Sequence, residues 1–381
     1  MKLWYNSHIK QPREYIMKTQ NLLLTSTIFA SLCLTSFDAM ATYIYANSFS
    51  VNKIANIQDS ISRTAMHTFG RTPTAVMNRQ QQIMSPTQDA ENTPDMYGAA
   101  PMYGSASMYG EFEAYEFAGR SGGDSEIIDI KNLQLGYSHY DTKVALDNFE
   151  RTNSDYDLAM FGITDGYTQF MDTTAGWAIF AGAINGSTSN SALSLDEFGG
   201  YAGLYGRFDI NNLGLAATFN GGAIDNDAKH EFGTDSYTNM WFGASINATY
   251  NINLDNTFVL QPGIYLGYAW VKSGDYLSKS GIQINNTDAS IFQVSPSLHA
   301  IKQIDDGWYG TAHIRYAKHS ISGAEITAGN IKSNTLEFED FIEYGLSLEK
   351  SIERFSLSGT ILRRDIGQDG WGGSVNIKYI F

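Results

Sequence analysis

The 381-residue chain has a net charge of −15, only 17% charged residues, 13% aromatic residues, 36 glycines and a mean hydropathy of −0.24. No run of Lys and Arg occurs that could neutralise phosphates, which argues against a nucleic-acid partner. Only one long apolar run exists, which excludes a bundle of membrane helices but not a membrane β-barrel, whose apolar residues occupy every second position.

Residues 1–41 read as a secretory signal peptide. Lys2, Lys10, Arg13 and Lys18 precede the apolar run "NLLLTSTIFASLCLTSF" (21–37), and Ala39-Met40-Ala41 gives the small-x-small cleavage pattern, with the cut after Ala41. The run is short for a membrane anchor and ends in a cleavage site. The part before it is long, so either Met17 is the start or the signal is extended. The single cysteine, Cys33, follows Leu32 in a poor lipoprotein box, and its removal leaves no disulfide.

Residues 42–126 form a second region, a short passenger or linker. Val51, Ile54, Ile57, Ile61 and Met66 recur at helical spacing and predict a short amphipathic helix over 51–69. A polar stretch follows over 70–95. Then Met-Tyr-Gly occurs at 96–98, 102–104 and 108–110, too brief for a stacked repeat and suited to a flexible linker. Exposed Tyr and Met also favour contacts, so a sticky surface peptide is the sharper reading.

From 127 to 381 apolar and polar residues alternate in twelve segments: 128–140, 155–170, 174–186, 196–210, 213–224, 235–253, 257–273, 288–304, 307–320, 335–351, 353–365 and 369–381. The connections alternate between short (171–173, 211–212, 254–256, 305–306, 352) and long (141–154, 187–195, 225–234, 274–287, 321–334); the short link 366–368 is the exception. Short turns on one side and long loops on the other build outer-membrane barrels. The predicted fold is therefore all-β, a 12-stranded antiparallel transmembrane β-barrel. A sheet in lipid has to close, because every backbone polar group must be paired internally. Trp270, Trp308, Trp371, Tyr250, Tyr316 and Tyr379 cluster near segment ends as aromatic girdles. Segments two and three alternate poorly, and their faces cannot be assigned. Pro262 and Pro296 sit inside neighbouring segments and predict a local bulge.

The inner face of the tenth segment is read to carry Glu337, Glu339, Glu343 and Glu349, with His313, Arg315 and Arg364 on its neighbours. Opposed charges on adjacent strands brace a lumen, or set ion preference if the pore is open. Catalytic constellations are weak. "HSIS" (319–322) puts adjacent residues on opposite faces, and Asp225, Asp227, His230 and Glu231 read as a solvated outer loop. No zinc or EF-hand spacing occurs, so no metal, cofactor or enzymatic activity is expected.

The chain ends mid-strand on "GGSVNIKYIF" (372–381). With "FVLQPGIYLGYAWV" (258–271), "FQVSPSLHAI" (292–301) and "EYGLSLEKSIERFSLSGTILRRDIGQDGWGGSVNIKYIF" (343–381), region 127–381 resembles the translocator β-domain of autotransporters (type V secretion). The resemblance implies a Gram-negative outer-membrane barrel, monomeric and in contact with outer-membrane lipid and lipopolysaccharide. It also implies periplasmic chaperones and the Bam machinery as assembly partners. Val375, Ile377, Tyr379 and Phe381 then match the C-terminal assembly signal. In the family the segment before the first strand threads the pore as a helix. Here "EFEAYEFAGRSGGDSE" (111–126) holds that place, and its glycines suit a long helix poorly. The expected function is anchoring, and export to the cell surface, of the short 42–126 segment. The competing reading is a general porin or solute channel with a periplasmic N-terminal tail.

Overall fold

A computed structural model describes residues 13–69, 126–144, 151–170, 173–333, 337–352 and 354–381. In chain order its elements are α1 (Arg13–Phe69), β1 (Glu126–Val144), β2 (Thr152–Phe170), β3 (Thr173–Ser189), β4 (Ser194–Ile210), β5 (Leu213–His230), β6 (Gly233–Tyr250), β7 (Ile252–Asp255) and β8 (Phe258–Ser273). They continue as β9 (Tyr276–Leu277), β10 (Gln283–Asn286), β11 (Ala289–Asp305), β12 (Trp308–Gly323), β13 (Ile326–Ala328), β14 (Ile331–Lys332), β15 (Phe341–Ile352), β16 (Phe355–Ile366) and β17 (Gln368–Ile380).

Twelve of these strands form an antiparallel wall in the order β1-β2-β3-β4-β5-β6-β8-β11-β12-β15-β16-β17. It closes where β17 pairs with β1, from Asn132 opposite Ile380 to Val144 opposite Gln368. The alternation that runs to the end of the chain is thus the closing seam, and it leaves no open sheet edge in lipid.

The outward positions are apolar and exposed: Leu135, Phe161, Ile179, Leu204, Phe219, Ile246, Leu266, Ile314, Leu346 and Val375 are examples around the wall. Aromatic residues bound this band. Tyr250, Trp308, Phe355 and Phe381 lie at the short-turn end, and Tyr137, Tyr268, Tyr316 and Tyr344 at the other. Between Trp308 and Tyr316, or Phe258 and Tyr268, the rise of ~3.4 Å per residue at a tilt of ~40° gives a band of roughly 21–26 Å, the height of a bilayer's apolar core. The upper boundary is chemically marked. The hydroxyls of Tyr137, Tyr316 and Tyr344 donate to Asp157 (2.5 Å), Asp340 (2.5 Å) and Asp365 (2.7 Å). Ring and hydroxyl thus divide between hydrocarbon and water.

Two expectations are corrected. Prolines 262 and 296 make no bulge, since β8 and β11 stay in continuous register from Val271–Ala289 to Phe258–Lys302. Instead each proline interrupts the ladder on its other side. The β6–β8 pairing stops at Gly263, and β11–β12 pairing skips Ser295 and Pro296. A residue without an N–H ends a ladder there without shifting it. The long loops are also mostly strand. The stretch 225–234 is a hairpin, with β5 reaching His230 and β6 starting at Gly233. Among the described residues, two connections at that end remain long, 274–288 and 324–340. They supply β9, β10, β13 and β14, a four-stranded sheet in the order β14-β13-β10-β9 that caps this end of the barrel.

Candidate functional site: a helix held in the lumen

The barrel is not empty. Residues 43–69 of α1 lie inside it, and most of their side chains are buried on every side of the helix. A helix of this length spans about 39 Å, enough to run from one rim past the middle of the wall. Its N-terminal end meets the cap. Tyr43 stacks edge-on against His230 at 5.0 Å, and its hydroxyl bonds the Ser280 hydroxyl at 2.8 Å. Tyr43 and Ile44 pack with Ile284, Ile326 and Ala328 of the cap sheet. Its C-terminal end lies toward the short turns, where Phe69 stacks on Phe180 at 5.8 Å and contacts Tyr205.

Three levels of contact hold the helix. At the cap, Asn47 donates to the Tyr276 hydroxyl at 3.0 Å, and Tyr276 stacks flat on Tyr237 at 5.0 Å. Burial raises the Tyr276 phenol above its ordinary range. Nearly two turns further in, Lys53 is buried and pairs with Glu197 of β4, while its ammonium also donates to the Ser187 carbonyl at 2.7 Å and to Thr188 at 3.0 Å. Such a buried charge persists because every proton of it is engaged.

The third level is the densest. Arg315 of β12 forks onto Asp59 of the helix (3.1 and 2.7 Å) and donates to Glu343 of β15 (3.0 and 3.1 Å). Arg63 of the helix reaches Glu343 at 2.5 Å, and Arg364 of β16 reaches it at 2.9 Å. Arg364 also lies against the rings of Phe341 (4.6 Å) and Tyr140 (5.0 Å). Three guanidinium groups share two carboxylates here, and stacking on aromatic faces stabilises the excess charge.

Apolar packing fills the rest. Phe49, Ile54, Ile57, Ile61 and Ala65 meet inward Tyr156, Leu158, Met160, Ile184 and Tyr201. The small polar residues of the helix reach wall partners: Ser50 to Asn226 at 3.0 Å, Ser60 to Tyr156 at 3.0 Å, Ser62 to Thr218 at 3.0 Å. A cavity of about 120 Å³ remains beside Arg63, His67, His299 and His313.

Most lumen residues expected from the sequence do face inward. Glu343, Glu349, Arg315 and Arg364 are buried, and His313 stacks on His299 at 5.7 Å beside Glu343. Glu337 and Glu339 do not. They are exposed in the connection before β15 begins at Phe341, because the strand is shorter than its alternation suggested. Val375, Ile377 and Phe381 face outward in the apolar band or at its edge, and Tyr379 stacks between Phe355 (4.8 Å) and Phe381 (6.0 Å). Ala39 and Ala41 fall within α1; Ala41 is exposed just above the cap, and the side chain of Ala39 lies outside the described ones. The predicted helix 51–69 is present but longer. It fills the lumen rather than lying outside the barrel. The segment 111–126, which the resemblance put in the pore, lies outside the described residues except for Glu126. The sequence reading missed Lys53, Asp59, Arg63 and Glu197. A signal existed: Lys53, Asn56, Asp59 and Arg63 recur three or four apart, a polar stripe beside the apolar one.

Comparison with known proteins agrees with this architecture. The family model "Autotransporter beta-domain" matches residues 133–360. Among solved structures, the transport unit of the Escherichia coli autotransporter AIDA-I superposes with a TM-score of 0.57 at 15% identity, over 66% of this chain and 90% of that one. The β-domain of the Bordetella autotransporter BrkA gives 0.56 at 11% identity, over 66% and 100%. The translocator domain of NalP from Neisseria meningitidis gives 0.53 at 15%, over 66% and 88%. No curated protein matches the sequence. With a family match over more than half its length and a closed barrel of the same kind, the chain belongs to the autotransporter β-domain family.

Proposed function

We propose that this outer-membrane barrel carries its own N-terminal helix as cargo and plug, and displays only the start of that helix at the cell surface. The observation behind this is the seating of residues 43–69 in the lumen, N-terminal end toward the cap. Short turns of outer-membrane barrels face the periplasm, so the cap faces outward. The chain is exported through a Sec signal peptide cut after Ala41, handed on by periplasmic chaperones and folded by the Bam machinery. That machinery reads Val375, Ile377, Tyr379 and Phe381, and the product is a monomeric barrel.

The barrel is a transport unit, and its lumen chemistry is structural: the charged groups pair with one another across helix and wall. A porin reading needs an open lumen, which the helix fills. An epitope tag inserted after Thr42 tests display. It is expected to bind antibody on intact cells. A tag at Tyr103 is expected to stay silent, because Phe69 and Glu126 on either side of that stretch both face the periplasmic end. Detection of the first tag only after the outer membrane is permeabilised would end this reading.

A further inference from the structure

The charged level of the lumen is not electrically balanced. Arg63, Arg315 and Arg364 bring three positive charges, and Asp59 and Glu343 bring two negative ones. The ring of Phe341 lies 4.6 Å from Arg364 and 5.2 Å from Arg315, and Tyr140 flanks Arg364. Among the described residues no ring lies over Arg63. Its Nη1 donates to Glu343 at 2.5 Å, but its Nη2 reaches only the Tyr140 hydroxyl, at 3.4 Å. Its Nε faces Asp59 at 3.3 Å without making a hydrogen bond. A guanidinium offers five N–H donors, so Arg63 is the least satisfied of the three arginines. A buried charge in excess calls for a counter-charge.

Arg63 also borders the cavity of about 120 Å³. One water needs only ~10–15 Å³, so the space is several waters large. Among the described lining residues Glu343 is the one carboxylate, and the three arginines already share it. The rest of the lining near Arg63 is polar and uncharged or basic. Thr360 of β16 and Ser374 of β17 are register partners that both border the cavity, and Ser374 makes no side-chain hydrogen bond to a described residue. His313 of β12 closes the other side, stacked on His299. His67, one turn beyond Arg63, is exposed and marks the mouth toward the short turns. The three imidazoles do not form a metal centre, since among the described residues no three His, Cys, Asp or Glu side chains come together as a metal requires.

We infer that this cavity binds one small oxyanion of the phosphate or sulfate class, held between helix and wall. Arg63 takes it with the donors that Glu343 leaves over, and hydroxyl and imidazole groups of the wall complete its shell. A guanidinium fork with hydroxyls around it suits an oxyanion better than a spherical halide. Arg63 belongs to the helix and the hydroxyls to the wall, so an occupied site also strengthens the seating of the helix. The inference needs the helix in the lumen and not its display at the surface, so the two readings fail separately.

The test titrates inorganic phosphate into the full-length protein, folded in detergent in a phosphate-free, low-chloride buffer, and follows it by isothermal titration calorimetry. One saturable site is expected. Arg63→Gln is expected to raise Kd roughly tenfold or more, the scale of one lost charge-assisted hydrogen bond. Ser374→Leu fills the cavity while keeping every charge and the whole ion cluster, and is expected to weaken binding at least as much. Lys302→Gln, an exposed cation at the same end of the barrel, is expected to leave Kd unchanged. Heat-modifiable migration shows that each barrel is intact, and a quiet planar bilayer shows that its helix is seated. If Arg63→Gln opens the pore, Ser374→Leu alone decides. No saturable binding by the parent, an unchanged Kd in Ser374→Leu, or equal weakening in Lys302→Gln overturns the site. Chloride displacing phosphate at equal concentration would assign the cavity to a halide and overturn the oxyanion claim.

Discussion

Asp59→Asn tests whether buried charge holds the helix in the pore. The substitution keeps size and removes one charge. Asp59 is 1% exposed and receives two hydrogen bonds from Arg315, with Arg63 at 3.3 Å. Asparagine can accept at only one of the two oxygen positions; its amide N–H would face a guanidinium donor. Three arginines would then share Glu343 alone. Removing one partner of a buried ion pair costs about 3–5 kcal/mol, because the other is left uncompensated. If the cost falls on the seated state, the unseated-to-seated ratio rises by roughly two to nearly four orders of magnitude. Planar-bilayer recording reads this directly: the parent is expected to be quiet, and the variant to open repeatedly. Adding Arg315→Met should restore part of the closure by removing the orphaned cation. A variant that stays closed while its barrel remains heat-modifiable would refute the reasoning. So would a double variant as open as the single one.

Three other outcomes follow from the same packing. Tyr43→Ala removes a fully buried ring from under the cap, a change costing about 3–5 kcal/mol in a packed site. Loop 274–287 should become protease-sensitive on intact cells while the barrel survives; cleavage equal to the parent would show that the cap stands without the helix. Phe381→Ser should lower outer-membrane insertion more than Leu277→Ser, since both are well exposed but only Phe381 lies at the lipid boundary. Equal insertion by fractionation would remove the case for a C-terminal signal. Gly222→Ala puts a Cβ into overlap with the Trp241 ring and the Gly200 carbonyl. A melting series on gels should show destabilisation by about 1–3 kcal/mol, and an unchanged transition would mean the wall yields there.

The wall was legible in the sequence wherever lipid and water face each other across it. That contrast forces a period of two, and β8 shows it plainly, with Ile264, Leu266 and Tyr268 outward. It vanishes where both faces meet the same medium. Above the band, Asp225 and Asp227 point outward into water, so β5 read as a loop although its ladder continues to His230. In β2 the opposite holds: Phe161 faces lipid while Tyr156, Leu158 and Met160 pack on the helix. Both faces are apolar, and the alternation blurs. That blurring was itself the trace of a filled lumen. The helix hid for a related reason. Its surroundings are polar as well as apolar, so it carries Asn47, Ser50, Asn56 and Ser60 among its isoleucines and resembles an ordinary surface helix. The pairing of Asp59 with Arg315 joins residues 256 positions apart, which no local pattern can encode.

The direction of the helix constrains the order of events in export. On the proposed cut after Ala41, made on the periplasmic side of the inner membrane, the new N-terminus would start on the wrong side of the barrel. To reach Ser280 and His230 in the cap, Tyr43 has to travel the whole lumen before the helix seats. The ion pairs form last for the same reason: Lys53, Asp59 and Arg63 find Glu197, Arg315 and Glu343 only when the helix is in register. An unpaired buried charge is costly at any other depth, so the charges set where the helix stops. Docking therefore ends transport, because the cargo that crosses is also the part that closes the pore.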